Sequence, residues 1–78
     1  MAEDKAAAIL AALGGGGNVV EIDPCITRLR CKVHDEAQLD EAALKAAGAH
    51  GVLRQGEVVQ VVVGPEADSL AEDIEDLL

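Results

Sequence analysis

The 78-residue sequence predicts an α+β fold: a two-layer sandwich of a four-stranded antiparallel sheet with three helices on one face, in the order α-β-β-α-β-β-α. Three observations predict it. From Thr27 to His34 the chain alternates, with Thr27, Leu29, Cys31 and Val33 on one side and Arg28, Arg30, Lys32 and His34 on the other. That is the pattern of a strand buried on one face only. Ala6, Ile9, Leu10 and Leu13 instead recur at helical spacing and form one apolar stripe. Finally, Val52 to Val63 reads as two apolar runs around a short glycine-containing turn, the mark of a hairpin.

Each element follows from local chemistry. Glu3 to Leu13 forms the first helix, with acids in its first turn to complement the dipole and Gly14 to Gly17 to stop it. Asn18 to Asp23 forms the first strand through Val19, Val20 and Ile22. Asp23-Pro24 reads as the turn into the second strand, because proline fixes φ and restricts the residue before it. The second strand starts at Ile26, and Asp35 and Glu36 end it. Leu39 to Ala47 forms a short helix with Asp40 as N-cap, a staple of Leu39 with Leu44, and Gly48 as its stop. The hairpin turn is placed at Gln55-Gly56, between Val52–Arg54 and Glu57–Val63. Gly64-Pro65 opens the last helix, with Ala67, Leu70, Ile74 and Leu77 on its apolar face. Residues 1–78 thus read as one domain.

Composition narrows the function. The chain carries 15 acids against 6 Lys and Arg, a formal charge of −9, and no Phe, Tyr or Trp. A chain of this length buries only roughly 60% of its unfolded surface, so an aliphatic core leaves no room for a deep ligand pocket. Without aromatic platforms or a broad basic groove, nucleic-acid binding is not expected. The longest apolar run, Ala6 to Leu13, has eight residues, against the ~20 of a membrane span. It follows Glu3, Asp4 and Lys5 without a basic leader, so the expected location is cytoplasmic.

The charge is unevenly placed. Pro65 to Leu78 holds six acids and no base, whereas Cys25 to His34 holds Arg28, Arg30 and Lys32 and no acid, a local +3. A basic knot in an acidic chain points to an anionic ligand or partner. The four glycines do not form a phosphate loop, because no Gly-Lys-Ser/Thr follows and a strand succeeds them.

The two cysteines differ. Six residues of strand separate Cys25 and Cys31 by up to ~20 Å, whereas a disulfide needs Cα atoms within ~7 Å. No Cys-x-x-Cys pair is present, and Cys31 and His34 face opposite sides of a strand, so no metal site is expected. Cys31 reads as a buried apolar residue. Cys25 follows the expected Pro turn at the mouth of a strand and should be exposed, with Arg28 three positions on. Cations beside a thiol favour the nucleophilic thiolate, and arginine matches phosphate oxygens with a bidentate fork. A phosphoryl acceptor fits these residues, since that reaction needs mainly in-line positioning and charge stabilisation. An anion-docking module using the same arginines, and a thiol redox switch, are the competing readings.

The octapeptide Asp23-Pro24-Cys25-Ile26-Thr27-Arg28-Leu29-Arg30 closely resembles the phosphorylation-site motif of the enzyme IIB domain of the glucose and N-acetylglucosamine branch of the bacterial phosphotransferase system. The Leu-Gly-Gly stop followed by Asn18 is similar to the family's start. Leu44 to Val52 is similar to its central stretch, and Val63-Gly64-Pro65 with Leu70 and Ile74 to its end. Pro24 occupies a position that varies in the family, and Cys31 stands where a plain hydrophobe is usual. The resemblance implies that Cys25 accepts a phosphoryl group from a phosphohistidine of enzyme IIA and passes it to a sugar held by the membrane component, enzyme IIC. It implies no cofactor, and a monomer that works at the inner face of the membrane. Thr27, Arg28 and Arg30 belong to the motif. The backbone N–H groups of Ile26 and Thr27 are expected to cradle the phosphate, Arg28 and Arg30 to bind or present it, and Asp23 to hold the loop as an Asx-type turn residue. His34 and His50 are expected on the surface, outside the chemistry.

Overall fold

The computed structural model describes residues 2–78, with side chains from Lys5 onward, so the acids expected to meet the first helix dipole, Glu3 and Asp4, lie outside the described side chains. The chain forms helix α1 (Ala2–Ala12), strands β1 (Val19–Cys25) and β2 (Arg28–Val33), helix α2 (Glu41–Ala46), strands β3 (Gly51–Gln55) and β4 (Val58–Val62), and helix α3 (Ala67–Leu77). This is the expected order, with single 3-10 turns added at Glu36–Gln38 and Gly64–Glu66. The four strands form one antiparallel sheet in the order β1-β2-β4-β3, which puts β2 and β4 at the centre.

Alternation decides which face is covered. Along β2, Leu29, Cys31 and Val33 are fully buried, whereas Arg28, Arg30 and Lys32 are exposed. Val59 and Val61 of β4 join the buried face, and β1 adds Val19 and Ile22 across a bulge. The helices cover this face: α1 packs on α2 and α3, α3 lies over β1 and β2, and α2 reaches β3. Ala6, Ile9, Leu10 and Leu13 fill the layer from α1, and Leu44 from α2. The opposite sheet face stays open, and the basic side chains stand on it. On α3 the buried stripe is Ala67, Leu70, Ala71 and Ile74. Leu77, expected to be buried there, is half-exposed and is the last residue of the helix.

Two turns differ from the sequence expectation. Asp23 and Pro24 are not a turn but lie inside β1, paired with Arg30 and Leu29. Proline is accommodated because β1 is an edge strand, where half the backbone groups need no strand partner. The chain reverses instead at Ile26-Thr27, between the paired Cys25 and Arg28. In the second hairpin the loop is Gly56-Glu57, one residue later than expected, between the paired Gln55 and Val58. Gly56 has φ +61, the left-handed value that the first position of the favoured two-residue hairpin turns requires.

Asn18 is the one buried polar residue among those described. Its Nδ2 donates to the Leu13 carbonyl at 2.7 Å and to the Asp35 carbonyl at 3.0 Å, and its Oδ1 accepts from the Asp35 N–H at 2.9 Å. The side chain therefore ties the end of α1 to the start of β1 and the exit of β2. Gly14 makes room for it: a Cβ there would lie 2.6 Å from Asn18 Nδ2, on a backbone with φ +103. Asp40 caps α2 as expected, its carboxylate accepting from the Ala43 N–H at 3.0 Å.

Candidate functional site

Cys25 is exposed, as expected, but it ends β1 and precedes the turn rather than following one. Because strand partners share a face, Cys25 and its partner Arg28 both stand on the open face at the hairpin tip. Ile26 and Thr27 close the tip, and Ile26 has φ +57 and is 87% exposed. The tip is anchored from below: the Thr27 carbonyl accepts from the N–H groups of Val63 and Gly64, each at 2.9 Å. The end of β4 thereby fixes the backbone that follows the thiol.

The arginines are held differently. Arg28 Nη1 donates to Gln60 Oε1 at 3.0 Å, so its guanidinium leans toward β4, on the side of β2 away from Cys25. Arg30 sits one step further from the tip, between Asp23 of β1 and Gln60 of β4 in register. Gln60 was not among the expected residues, because β4 becomes the neighbour of β2 only through the sheet order; a polar residue between valines was the available sign. The basic stripe was also expected to stand free of acids. The register lays Glu21 opposite Lys32, Asp23 opposite Arg30 and Cys25 opposite Arg28, whose guanidinium is held by Gln60 on the other side of β2. Asp23 is therefore a strand residue across from Arg30, not an Asx-turn residue.

A shallow depression of about 160 Å³ opens on this face, lined by Glu21, Asp23, Arg30, Cys31, Lys32 and Val58. It lies beside the thiol position rather than around it. Cys31 is fully buried, and burial pushes its thiol up to about 12. At neutral pH it stays a protonated core residue and cannot compete with Cys25 as nucleophile. His34 and His50 are exposed; His34 follows the far end of β2, and His50 precedes the opposite edge strand. Among the described residues no group of three or more His, Cys, Asp and Glu is disposed to hold a metal. No described helix is long and apolar enough to cross a membrane.

An exposed thiol at a fixed hairpin tip, with Arg28 opposite it in register and Arg30 two residues further along β2, can accept an anionic group from another molecule. Residues 7–40, which include all of β1 and β2, match the family model for the phosphotransferase system, EIIB. The N-acetylglucosamine-specific EIIB component of Streptomyces coelicolor is 57% identical over 74 residues, covering 95% of this chain and 96% of that protein. The alpha-glucoside-specific EIICB component of Leptotrichia buccalis is 48% identical over 75 residues, covering 95% of this chain and 14% of that one. A crystal structure of one domain of the IIabc component from Clostridium difficile shares the fold, with a TM-score of 0.79 over 97% of this chain and 82% of that chain at 23% identity. A relative this similar over nearly the full length of both chains extends the resemblance beyond the thiol motif, and the chain belongs to the enzyme IIB family of the phosphotransferase system.

Proposed function

We propose that Cys25 is a phosphoryl carrier between two proteins. The thiolate attacks the phosphorus of a phosphohistidine on enzyme IIA; the P–N bond breaks, a P–S bond forms, and the imidazole leaves. A sugar hydroxyl held by enzyme IIC then attacks the phosphothiol. The P–S bond breaks, a P–O bond forms, and the cysteine thiolate is restored as the hydroxyl loses its proton. The single observation that carries this reading is the pairing of exposed Cys25 with Arg28 at a tip whose following backbone is anchored. The N–H groups of Ile26 and Thr27 cradle the transferred group. Arg28 and Arg30 bind its oxygens through bidentate forks, charge stabilisation of the kind phosphoryl transfer depends on.

The sugar is of the glucose or N-acetylglucosamine type, a reading supported by the name of the Streptomyces coelicolor relative. The chain works as a monomeric domain in the cytoplasm, at the inner face of the membrane through enzyme IIC. The relative whose name joins IIC and IIB supports that partnership. Its activity is that of a protein-phosphocysteine–sugar phosphotransferase component. The test is a pair of cysteine substitutions, assayed with phosphoenolpyruvate, the general phosphotransferase proteins and enzyme IIA. Cys25→Ser should abolish phosphoryl transfer to sugar and leave the fold intact, whereas Cys31→Ala should preserve transfer. Undiminished transfer by Cys25→Ser would refute the assignment. An anion-docking module would bind its partner equally well with either thiol removed and carry no phosphoryl group.

A further inference from the structure

We propose that Gln60 is a positioning residue for the transfer: it is the resting partner of the Arg28 guanidinium, which exchanges Gln60 for the phosphoryl group once Cys25 carries one. The inference rests on the carrier reading of Cys25. That reading needs the guanidinium at the phosphoryl oxygens. With Cys25 as a free thiol, Arg28 Nη1 instead donates to Gln60 Oε1 at 3.0 Å. Cys25 is the register partner of Arg28 on β1 and Gln60 belongs to β4, so thiol and amide flank β2 on opposite sides. Direct and diagonal neighbours on one sheet face lie within ~8 Å, which a long side chain spans without moving the backbone. One guanidinium can therefore serve both places.

The surroundings of Gln60 explain why Arg28 rests there. Val58 and Val62 flank Gln60 on β4, and Leu53 lies opposite it on β3, all on the same face. The residues that β3 and β4 place on this face include no acid and no base. The carboxylates of β1 stand opposite Arg30 and Lys32, so none is paired in register with Arg28. Gln60 is itself opposite Arg30, yet its Oε1 takes Arg28, one diagonal step nearer the tip.

The neutrality of the acceptor sets the direction of the exchange. Gln60 is half-buried and Arg28 exposed, so water competes for their hydrogen bond. A phosphothiol offers a guanidinium two charged oxygens, and hydrogen bonds to an ionised partner are roughly twice as strong as those between neutral groups. The guanidinium leaves Gln60 when the phosphoryl group arrives, and keeps its full charge until then. A carboxylate at position 60 would instead neutralise Arg28 and compete with the phosphoryl group for it.

The experiment uses the whole chain with Gln60→Leu and Gln60→Glu, each also combined with Arg28→Ala. It measures Tm, the rate of Cys25 alkylation by iodoacetamide at neutral pH, and kcat and KM for transfer from phospho-Cys25 to sugar on enzyme IIC. Tm should hold in both single variants, since Gln60 lies on the open face. Gln60→Leu frees the guanidinium to approach the thiol, where a cation favours the reactive thiolate. Alkylation should then quicken by roughly two- to fivefold, the scale of an exposed ion pair. Gln60→Glu holds the guanidinium harder and should slow alkylation and lower kcat by a similar factor, with KM unchanged. In the Arg28→Ala background neither substitution should move the alkylation rate, because no guanidinium remains to redirect. Equal alkylation in wild type, Gln60→Leu and Gln60→Glu, or the same changes without Arg28, would overturn the proposal while leaving the carrier reading standing. A wild-type chain that takes no phosphoryl group from phosphorylated IIA would overturn the carrier reading itself.

Discussion

Asn18→Ala removes a side chain that makes three hydrogen bonds at the junction of α1, β1 and the end of β2. The bond to the Leu13 carbonyl is buried, so alanine leaves an acceptor that water does not reach; a buried unsatisfied group costs about 1–3 kcal/mol. The two bonds to Asp35 are only part-buried, and their loss should cost about 0.5–1 kcal/mol each, since water replaces them in part. The sum is about 3 kcal/mol. Against a total stability on the order of 4–12 kcal/mol for a chain of this length, that is a large fraction. Urea denaturation followed by circular dichroism should show a lower midpoint with an unchanged slope. Gly14→Ala should also destabilise, through its Cβ contact with Asn18 and its positive φ. Combined with Asn18→Ala it should cost less than the sum, because the clash disappears with the amide. A loss below about 1 kcal/mol for Asn18→Ala, or strict additivity in the double variant, would refute this reasoning.

Three further outcomes are expected. Iodoacetamide should label Cys25 in the folded chain and Cys31 only after unfolding, as read by mass spectrometry of the two peptides. Stability should also report on Cys31, whose thiol burial raises from 9.0 to about 12. Below pH 9 folded and unfolded chains both keep this proton; above it the unfolded chain loses the proton first, so stability falls as pH rises toward 12, by about 1.4 kcal/mol per unit. The difference between wild type and Cys31→Ala in urea melts across that range isolates the effect, and parallel curves would contradict it. Asp40→Ala should cost about 1 kcal/mol, the usual loss for an N-cap whose side chain accepts a helix N–H. Thermal melts of that variant check it, and an unchanged Tm would discount the cap.

Much of this architecture was legible because the strongest signals in the chain are periodic. The alternation of Leu29, Cys31 and Val33 with Arg28, Arg30 and Lys32 predicted both the buried and the open face of β2. The stripe of Ala6, Ile9, Leu10 and Leu13 predicted the packing side of α1. The turns were less legible for opposite reasons. Asp23-Pro24 carries strong turn chemistry, yet the edge position of β1 lets the strand run through it. Ile26-Thr27 carries none, because a β-branched residue holds a conformation that glycine holds in the other hairpin. The exposure of Cys25 was anticipated, but not its pairing with Arg28 across a two-residue loop. Gln60 and the Asn18 network depend on residues distant in the chain, 32 positions for Arg28 and 17 for Asp35, which no local pattern reports.

The central claim is that Cys25, among all nucleophiles of this chain, carries the phosphoryl group. It is tested most directly by incubating the protein with phosphoenolpyruvate, the general phosphotransferase proteins and cognate enzyme IIA, then locating the modification by mass spectrometry. A single phosphoryl group on Cys25 is expected, discharged when sugar-loaded enzyme IIC is added. A Cys25 peptide left unmodified beside fully phosphorylated IIA, or a phosphoryl group found on His34 or His50 instead, would contradict it.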